Sequence, residues 1–374
     1  MKIMTILGTR PEIIKMSRVM AVLDRYTEHT IVHTGQNYDY ELNQLFFEDL
    51  EVRKPDRFLQ TAGKTAAETI GLVIAKSDSA LAEVQPDAVL ILGDTNSSLA
   101  ALPAKRRRIP VFHMEAGNRC FDDRSPEEIN RRIVDHISDI NMPYSSISRG
   151  YLLREGLAPD RIIKTGSPMF EVLHYYLPKI RESSVLERFG LEKGRYFVVS
   201  CHREENVDQQ RKLERFVALI NSLAAEHTLP IVISTHPRTR KRLNEIGAQI
   251  RPEVQLRDPM GLFDFVQLEM CARATLSDSG TITEESSILG FPALNIREMH
   301  ERPEGMEEGA VMMAGFDAAR VREGMQILAD QSDAGLRTVR EYTAPNVSQK
   351  VLRIILSYVN YVRRNVWHEG VPGI

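Results

Sequence analysis

The chain has little cysteine and no long apolar run. Its three cysteines, Cys120, Cys201 and Cys271, show no CxxC spacing, which speaks against a disulfide framework or a cysteine-bound zinc. The opening stretch MKIMTILGTR is too short in apolar residues to be a signal peptide or a membrane span. The expectation is a cytoplasmic protein with no membrane partner. A net charge of −3 supplies no general pull toward nucleic acid or an anionic surface. The basic cluster Lys105-Arg106-Arg107-Arg108 reads as a solvated helix end. No internal repeat of roughly 20–50 residues is visible. The first strand–helix turn lacks a GxGxxG phosphate loop.

What remains is an ordinary soluble composition, 43% hydrophobic and 26% charged, in 374 residues, enough for two domains. Short apolar runs alternate with amphipathic stretches, the rhythm of βα units on a parallel sheet. In the first half the runs are Lys2–Leu7, Thr30–Thr34, Ala88–Leu92, Val111–Met114, Asp139–Met142 and Ile162–Lys164. Helices are expected from the Gly8–Glu12 turn to about Arg25, over LNQLFFEDL, and over Ala66–Val84. The segment Pro178–Gly194 is charged and weakly periodic and marks a linker, or the end of one. The pattern then restarts with Tyr196–Ser200, Ile231–Ser234, Ala274–Ser277 and Ala293–Ile296, with an amphipathic helix over Arg211–His227. A last helix covers about Val347–Val362. The expected fold is α/β: two Rossmann-like, doubly wound domains facing each other across a cleft. Residues 1–170 form the first, with 361–374 packing back on it, and 171–360 form the second.

Ligands of open α/β sheets bind beyond the strand C-termini, so the strand ends carry the chemistry. The stretch Val111–Arg132 is the richest. A strand, VFHM, ends at Glu115, and a helix starts at Ser125-Pro126-Glu127-Glu128, with Ser125 as N-cap and Pro at the first helical position. Glu115 and Glu127 converge on that crevice as proton-transfer candidates, while Glu128 is expected only to complement the helix dipole. Glu127 is open to that same reading. Asp94 follows an apolar strand by the same logic, and His202 ends the first strand of the second half. Together they aim four titratable groups at one crevice. His113 and Glu115 share a strand face, but two ligands do not make a metal site.

Two turns suit anions. The first offers Gly8, Arg10 and Lys15 at a helix start, where phosphate or carboxylate is the natural ligand and a surface salt bridge the plainer alternative. The second is Asp278-Ser279-Gly280-Thr281, whose small residues leave backbone N–H groups free to meet phosphate oxygens. Glu285, a turn further on, suits a ribose diol and would repel phosphate. An ordinary capped helix start, with Ser279 as the cap, explains that stretch equally well.

The motifs Gly8-Thr9-Arg10-Pro11-Glu12 with Lys15, Gly93-Asp94-Thr95, His113 to Arg119, Pro126 to Arg131, Ser279-Gly280 with Glu284-Glu285, and Glu301-Arg302-Pro303-Glu304 occur in one order. The whole chain thereby resembles the non-hydrolysing UDP-N-acetylglucosamine 2-epimerase family. The resemblance implies a GT-B architecture, no cofactor and no metal, UDP and a UDP-sugar as ligands, and a homodimer. It implies acid–base roles for Asp94, Glu115, Glu127 and His202, and UDP contacts from Arg10, Lys15, Phe265, Ser279, Gly280, Glu285 and Arg302. Where the family has a second glycine this chain has Thr281, whose N–H is kept. Where the family often has His-Arg after Gly-Gln, in a region linked to allosteric activation, this chain reads Gly35-Gln36-Asn37-Tyr38. That departure, Glu204-Glu205-Asn206 after His202-Arg203, and TITEESS from Thr281 resemble the subgroup acting on UDP-2-acetamido-2,6-dideoxy-L-hexoses. That subgroup makes UDP-N-acetyl-L-fucosamine for capsule or O-antigen. The alternatives are a UDP-GlcNAc/UDP-ManNAc 2-epimerase, a GT-B glycosyltransferase, which needs one base and an acceptor pocket, and a UDP-sugar sensor, which needs no acids.

Overall fold

The computed structural model describes residues 1–36, 46, 47, 49–331 and 338–369, the side chains of Glu204 and Glu205 excepted. The departure at Asn37-Tyr38 and most of the helix expected over 42–50 lie outside the described residues. The chain divides into two compact units, Met1–Tyr175 with Glu341–Ile374, and Tyr176–Arg340. The division falls inside the helix Met169–Arg181. The chain returns to the first unit at Glu341, earlier than the expected position 361.

The first unit carries a six-stranded parallel sheet: β1 (Lys2–Leu7), β2 (Glu28–His33), β3 (Arg57–Phe58), β4 (Ala88–Leu92), β5 (Val111–Met114) and β6 (Ile140–Met142). Its order is β3-β2-β1-β4-β5-β6. The second unit repeats the plan with β7 (Phe197–Ser200), β8 (Ile231–Ser234), β9 (Val254–Arg257), β10 (Ala274–Ser277), β11 (Ala293–Asn295) and β12 (Met312–Met313), in the order β12-β11-β10-β7-β8-β9. Both sheets reverse direction at one place, between β1 and β4 and between β7 and β10. Such a reversal parts the two crossovers that leave the neighbouring strands and opens a crevice at their C-terminal ends. The two anion turns of the sequence sit at these reversals.

The sheets are built from runs buried on both faces, which is why the sequence shows continuous Val, Ile and Leu rather than alternation. All five residues of β4 are buried. Three strands escaped the sequence pattern. β3 and β12 are two residues long, and β9 reads VQLR, half polar because it is an edge. The segment expected as a strand at Ile162–Lys164 contributes one isolated bridge, Asn141 to Ile162.

Helix α1 (Arg10–Tyr26) follows β1, and α2 (Pro126–Ile137) follows β5. α3 (Ile282–Leu289) follows β10, and α4 (Val347–Asn365) ends the described chain. α4 packs along α1. Its buried face is Val347, Val351, Ile355, Val359 and Val362, a stripe at steps of three and four residues. This stripe is why the return begins as early as it does: the whole helix, not a tail beyond it, needs the first unit to cover its apolar side. No described helix is long and apolar enough to cross a membrane.

Ile355 is fully buried and its neighbour Leu356 is exposed. Ile355→Ala is expected to cost about 2–5 kcal/mol, and Leu356→Ala within about 0.5 kcal/mol. Urea unfolding of the two variants checks this.

Candidate active site

At the end of β1, Gly8 leaves no room for a side chain. A Cβ there would lie 2.1 Å from both the Thr34 and the Ser97 hydroxyls. Thr9 caps α1 in a capping box with Glu12, and Pro11 occupies the first turn. Glu12 accepts from the Gly8 N–H at 2.6 Å, from the Thr9 N–H at 2.9 Å and from the Thr95 hydroxyl at 2.6 Å. Burial pushes its carboxyl up to about 7, against those hydrogen bonds. Arg10 stands over the Phe46 ring at 5.6 Å.

Lys15, one turn further along α1, reaches Glu115 at the end of β5, 2.5 Å away. Both side chains are more than nine-tenths buried. Glu115 has a φ of 63°, the left-handed region that a side chain seldom adopts. Backbone strain of this kind persists where the surroundings enforce it, and it clusters at functional positions. Asn118 donates to the other Glu115 oxygen at 3.4 Å.

Asp94 follows β4 after Gly93, whose φ is 72°. Its carboxylate is held by Arg131 of α2, at 2.7 Å and 2.9 Å, and its carbonyl accepts from Asn130 at 3.0 Å. Arg131 also reaches Glu128 at 3.2 Å. Glu128 is fully buried and accepts from the Cys120 N–H at 3.0 Å and from Arg132. The expectation that Glu128 only complements the helix dipole is therefore corrected: it is a buried anchor for Arg131 and the Cys120 loop. Ser125 sits at the cap position of α2, but its hydroxyl donates to Glu127 at 2.7 Å instead of capping the backbone. Glu127 is half-buried at the rim of the same strand ends.

His113 turns into the core, away from Glu115. Its Nε2 meets the Gly93 carbonyl at 2.8 Å and its Nδ1 the Asp135 carboxylate at 3.0 Å. Burial alone would lower this imidazole, but Asp135 raises it above its ordinary value. Asp135 is lowered in turn, against its burial, by His113 and Arg119. This chain of buried charges fixes the Gly93–Asp94 turn from behind.

In the second unit, β7 and β10 are neighbours in register, Ser200 opposite Ser277. The residues just beyond them meet. Asp278 is fully buried and accepts from the His202 N–H at 3.1 Å, the Arg203 N–H at 3.0 Å and the Asn206 amide at 3.1 Å. Its carboxylate lies 3.3 Å from His202 Nδ1. Burial opposes ionisation, but His202 and these donors hold Asp278 below its ordinary 3.8. The His202 ring remains half exposed.

Ser279 and Thr281 pair through their hydroxyls at 2.9 Å, and the cap of α3 is Thr281, not Ser279. A Cβ on Gly280 would stand 3.8 Å from both the Arg203 guanidinium and the Glu301 carboxylate. Arg203 and Glu301 pair with each other there at 3.2 Å. Arg302 is buried on Glu284, at 3.3 Å. Glu285 is buried on α3, and it raises Glu269 of the helix Leu262–Cys271, already driven up by burial. Phe265 on that helix packs on the cluster around Tyr196 and Leu268.

The structure thus brings Arg10, Lys15, Asp94 and Glu115 to the strand ends of the first unit, with Glu127 in the first turn of α2. It brings His202, Ser279, Gly280 and Thr281 to those of the second, with Glu285 and Arg302 behind them. Sequence reasoning missed Arg131, Asp135, Arg203 and Asp278. Asp278 was legible in principle, since the residue after a strand at a sheet reversal faces its neighbour's turn.

Two parallel sheets of this order, one in each unit, define a GT-B-like protein. The model of the UDP-N-acetylglucosamine 2-epimerase family matches residues 21–356. A structure of UDP-N-acetylglucosamine 2-epimerase from Rickettsia bellii is 49% identical, with a TM-score of 0.90 over 99% of this chain and 100% of that one. The enzyme from Methanocaldococcus jannaschii, solved with UDP-GlcNAc and UDP, is 32% identical, with a TM-score of 0.90 over 96% of this chain and 100% of that one. The UDP-2,3-diacetamido-2,3-dideoxy-D-glucuronate 2-epimerase of Pseudomonas aeruginosa is 33% identical over 88% of this chain and 94% of its own length. The chain belongs to the non-hydrolysing UDP-N-acetylglucosamine 2-epimerase family. It is an isomerase acting on a UDP-sugar.

Asp278 tests how the His202 turn is held. Its folded value lies below its unfolded one, so its stabilisation is present above about pH 4 and is lost as pH falls through the folded value. Asp278→Asn is expected to lower stability at pH 7 by about 1–3 kcal/mol and to converge with the parent once pH has fallen through the folded value. Denaturant melts across pH measure both.

Proposed function

We propose that the chain inverts C2 of a UDP-N-acetylhexosamine by eliminating UDP and adding it back. The C2 hydrogen has no carbonyl beside it on the ring and is not acidic. Breaking the C1–O bond to UDP makes C1 electron-poor and acidifies C2–H. The intermediate is a 2-acetamidoglycal, and the proton returns to the opposite face.

The observation that carries this reading is the pair Asp94 and Glu115 at neighbouring strand ends, each paired with a buried cation, Arg131 and Lys15. Inversion through a glycal needs one group on each face of C2, and Asp94, Glu115 and Glu127 are the candidates. His202, Arg10 and the Ser279–Thr281 turn suit the departing diphosphate. Phe265, Glu285 and Arg302 suit the nucleoside end, with Glu285 accepting from the ribose hydroxyls. A transferase would use the same turns but needs only one base.

For the sugar, the motifs at Glu204-Glu205-Asn206 and Thr281–Ser287 support UDP-2-acetamido-2,6-dideoxy-β-L-talose, giving UDP-N-acetyl-L-fucosamine for a capsule or O-antigen. The names of the relatives support UDP-GlcNAc as strongly, the substrate of the alternative UDP-GlcNAc/UDP-ManNAc 2-epimerase.

The test offers each UDP-sugar to the purified protein in deuterated water with no acceptor. Epimerisation with deuterium at C2 is expected. Activity on the L-talo sugar above that on UDP-GlcNAc supports the first substrate, and activity on UDP-GlcNAc alone selects the second. Turnover without deuterium at C2 refutes the mechanism.

A further inference from the structure

On the reading just given, a carboxylate moves the proton at C2, and it works only through an oxygen that faces that carbon. The two oxygens of Glu115 have unlike surroundings. Oε2 meets the Lys15 ammonium at 2.5 Å, and Oε1 accepts from the Asn118 amide at 3.4 Å. A proton arriving at a carboxylate goes to the oxygen with less positive charge beside it. That oxygen is Oε1.

Asn118 is itself directed. It is 2% exposed, and Ser145 and Ser148 are fully buried. The Ser148 N–H donates to the Ser145 hydroxyl at 3.1 Å, which caps the helix Ser146–Arg154. The Ser145 hydroxyl donates to the Ser148 hydroxyl at 3.1 Å, and the Ser148 hydroxyl donates to Asn118 Oδ1 at 3.3 Å. The chain runs one way and leaves the NH2 group of Asn118, not its oxygen, facing Glu115.

Closing the turn after β5 does not account for this side chain. The backbone of the turn has its own anchors: the Gly117 N–H donates to the Asp135 carboxylate at 3.2 Å, and the Asn118 carbonyl accepts from Arg119 at 2.6 Å. Gly117 lets the turn lie on the helix, since a Cβ there would stand 2.5 Å from the Ser148 carbonyl oxygen. A side chain is given up at 117, and Asn118 is brought against Ser148.

We propose that Glu115 exchanges the C2 proton through Oε1, and that Asn118, directed by Ser148, is the positioning residue that aims this oxygen. In the elimination the C2–H bond breaks and its proton goes to Oε1. The electron pair left behind forms the C1–C2 double bond, and the pair of the C1–O bond leaves with UDP. The ammonium holds Oε2 in place. The amide, a neutral donor at long range, orients Oε1 and leaves it basic; such bonds tighten when substrate is bound.

The test is a double-mutant cycle read on kcat for deuterium entry at C2, with the UDP-sugar that the parent turns over. Asn118→Leu keeps the branched shape and removes the donor. It is expected to lose about tenfold in kcat, with KM within about twofold. Ser148→Ala frees the amide to turn and is expected to lose about threefold. Because Ser148 acts through Asn118, the double variant should be no slower than Asn118→Leu alone. Losses that multiply, to about thirtyfold in the double variant, mean two independent structural roles and overturn the proposal. So does Asn118→Leu at the parent kcat. Should Asn118→Leu fail to fold, Ser148→Ala carries the test: a lower kcat at unchanged KM is expected, and the parent kcat overturns the proposal. A parent protein that exchanges no C2 hydrogen would instead refute the epimerase reading itself.

Discussion

A carboxylate taken out of water costs several kcal/mol unless a cation or a set of donors meets it. The strand ends of this protein hold several, and the local structure is arranged around that constraint. Lys15 meets Glu115, Arg131 meets Asp94 and Glu128, Arg119 and His113 meet Asp135, and the His202 turn wraps Asp278. Lys15 and Arg131 come from helices and His113 from β5 itself, so the helices after β1 and β5 are oriented by charge as well as by apolar packing. Glu12 is met by neutral donors, and burial pushes its carboxyl up to about 7.

The two units differ in what their strand ends carry. In the first, Asp94 after β4 and Glu115 after β5 are paired with buried cations from helices, Arg131 and Lys15. In the second, the reversal carries small residues and a backbone turn braced from beneath by Asp278.

Much of this was legible in the sequence. The strands Lys2–Leu7, Ala88–Leu92, Val111–Met114, Ile231–Ser234 and Ala274–Ser277 appear at the expected bounds, because doubly buried parallel strands are uninterrupted apolar runs. Edge strands such as β9 were not legible, since they have one wet side and borrow their pairing from a neighbour. Asp94 and Glu115 were placed by the rule that strand ends carry chemistry, whereas Arg131 and Asp278 take their meaning from a partner distant in sequence. Glu128 shows the opposite failure: its position in a first helical turn invited a local explanation, and its burial with Arg131 and Cys120 replaced it.

The proposed reading rests on the buried pair of Lys15 with Glu115 at a strand end, and Lys15→Met puts it to the most direct test. The measurement is the rate of deuterium exchange at C2 of the UDP-sugar. Loss of the ammonium beside Glu115 is predicted to slow exchange by about a hundredfold or more, with Lys15→Arg retaining part of the rate. Exchange at the parent rate in Lys15→Met would contradict the account.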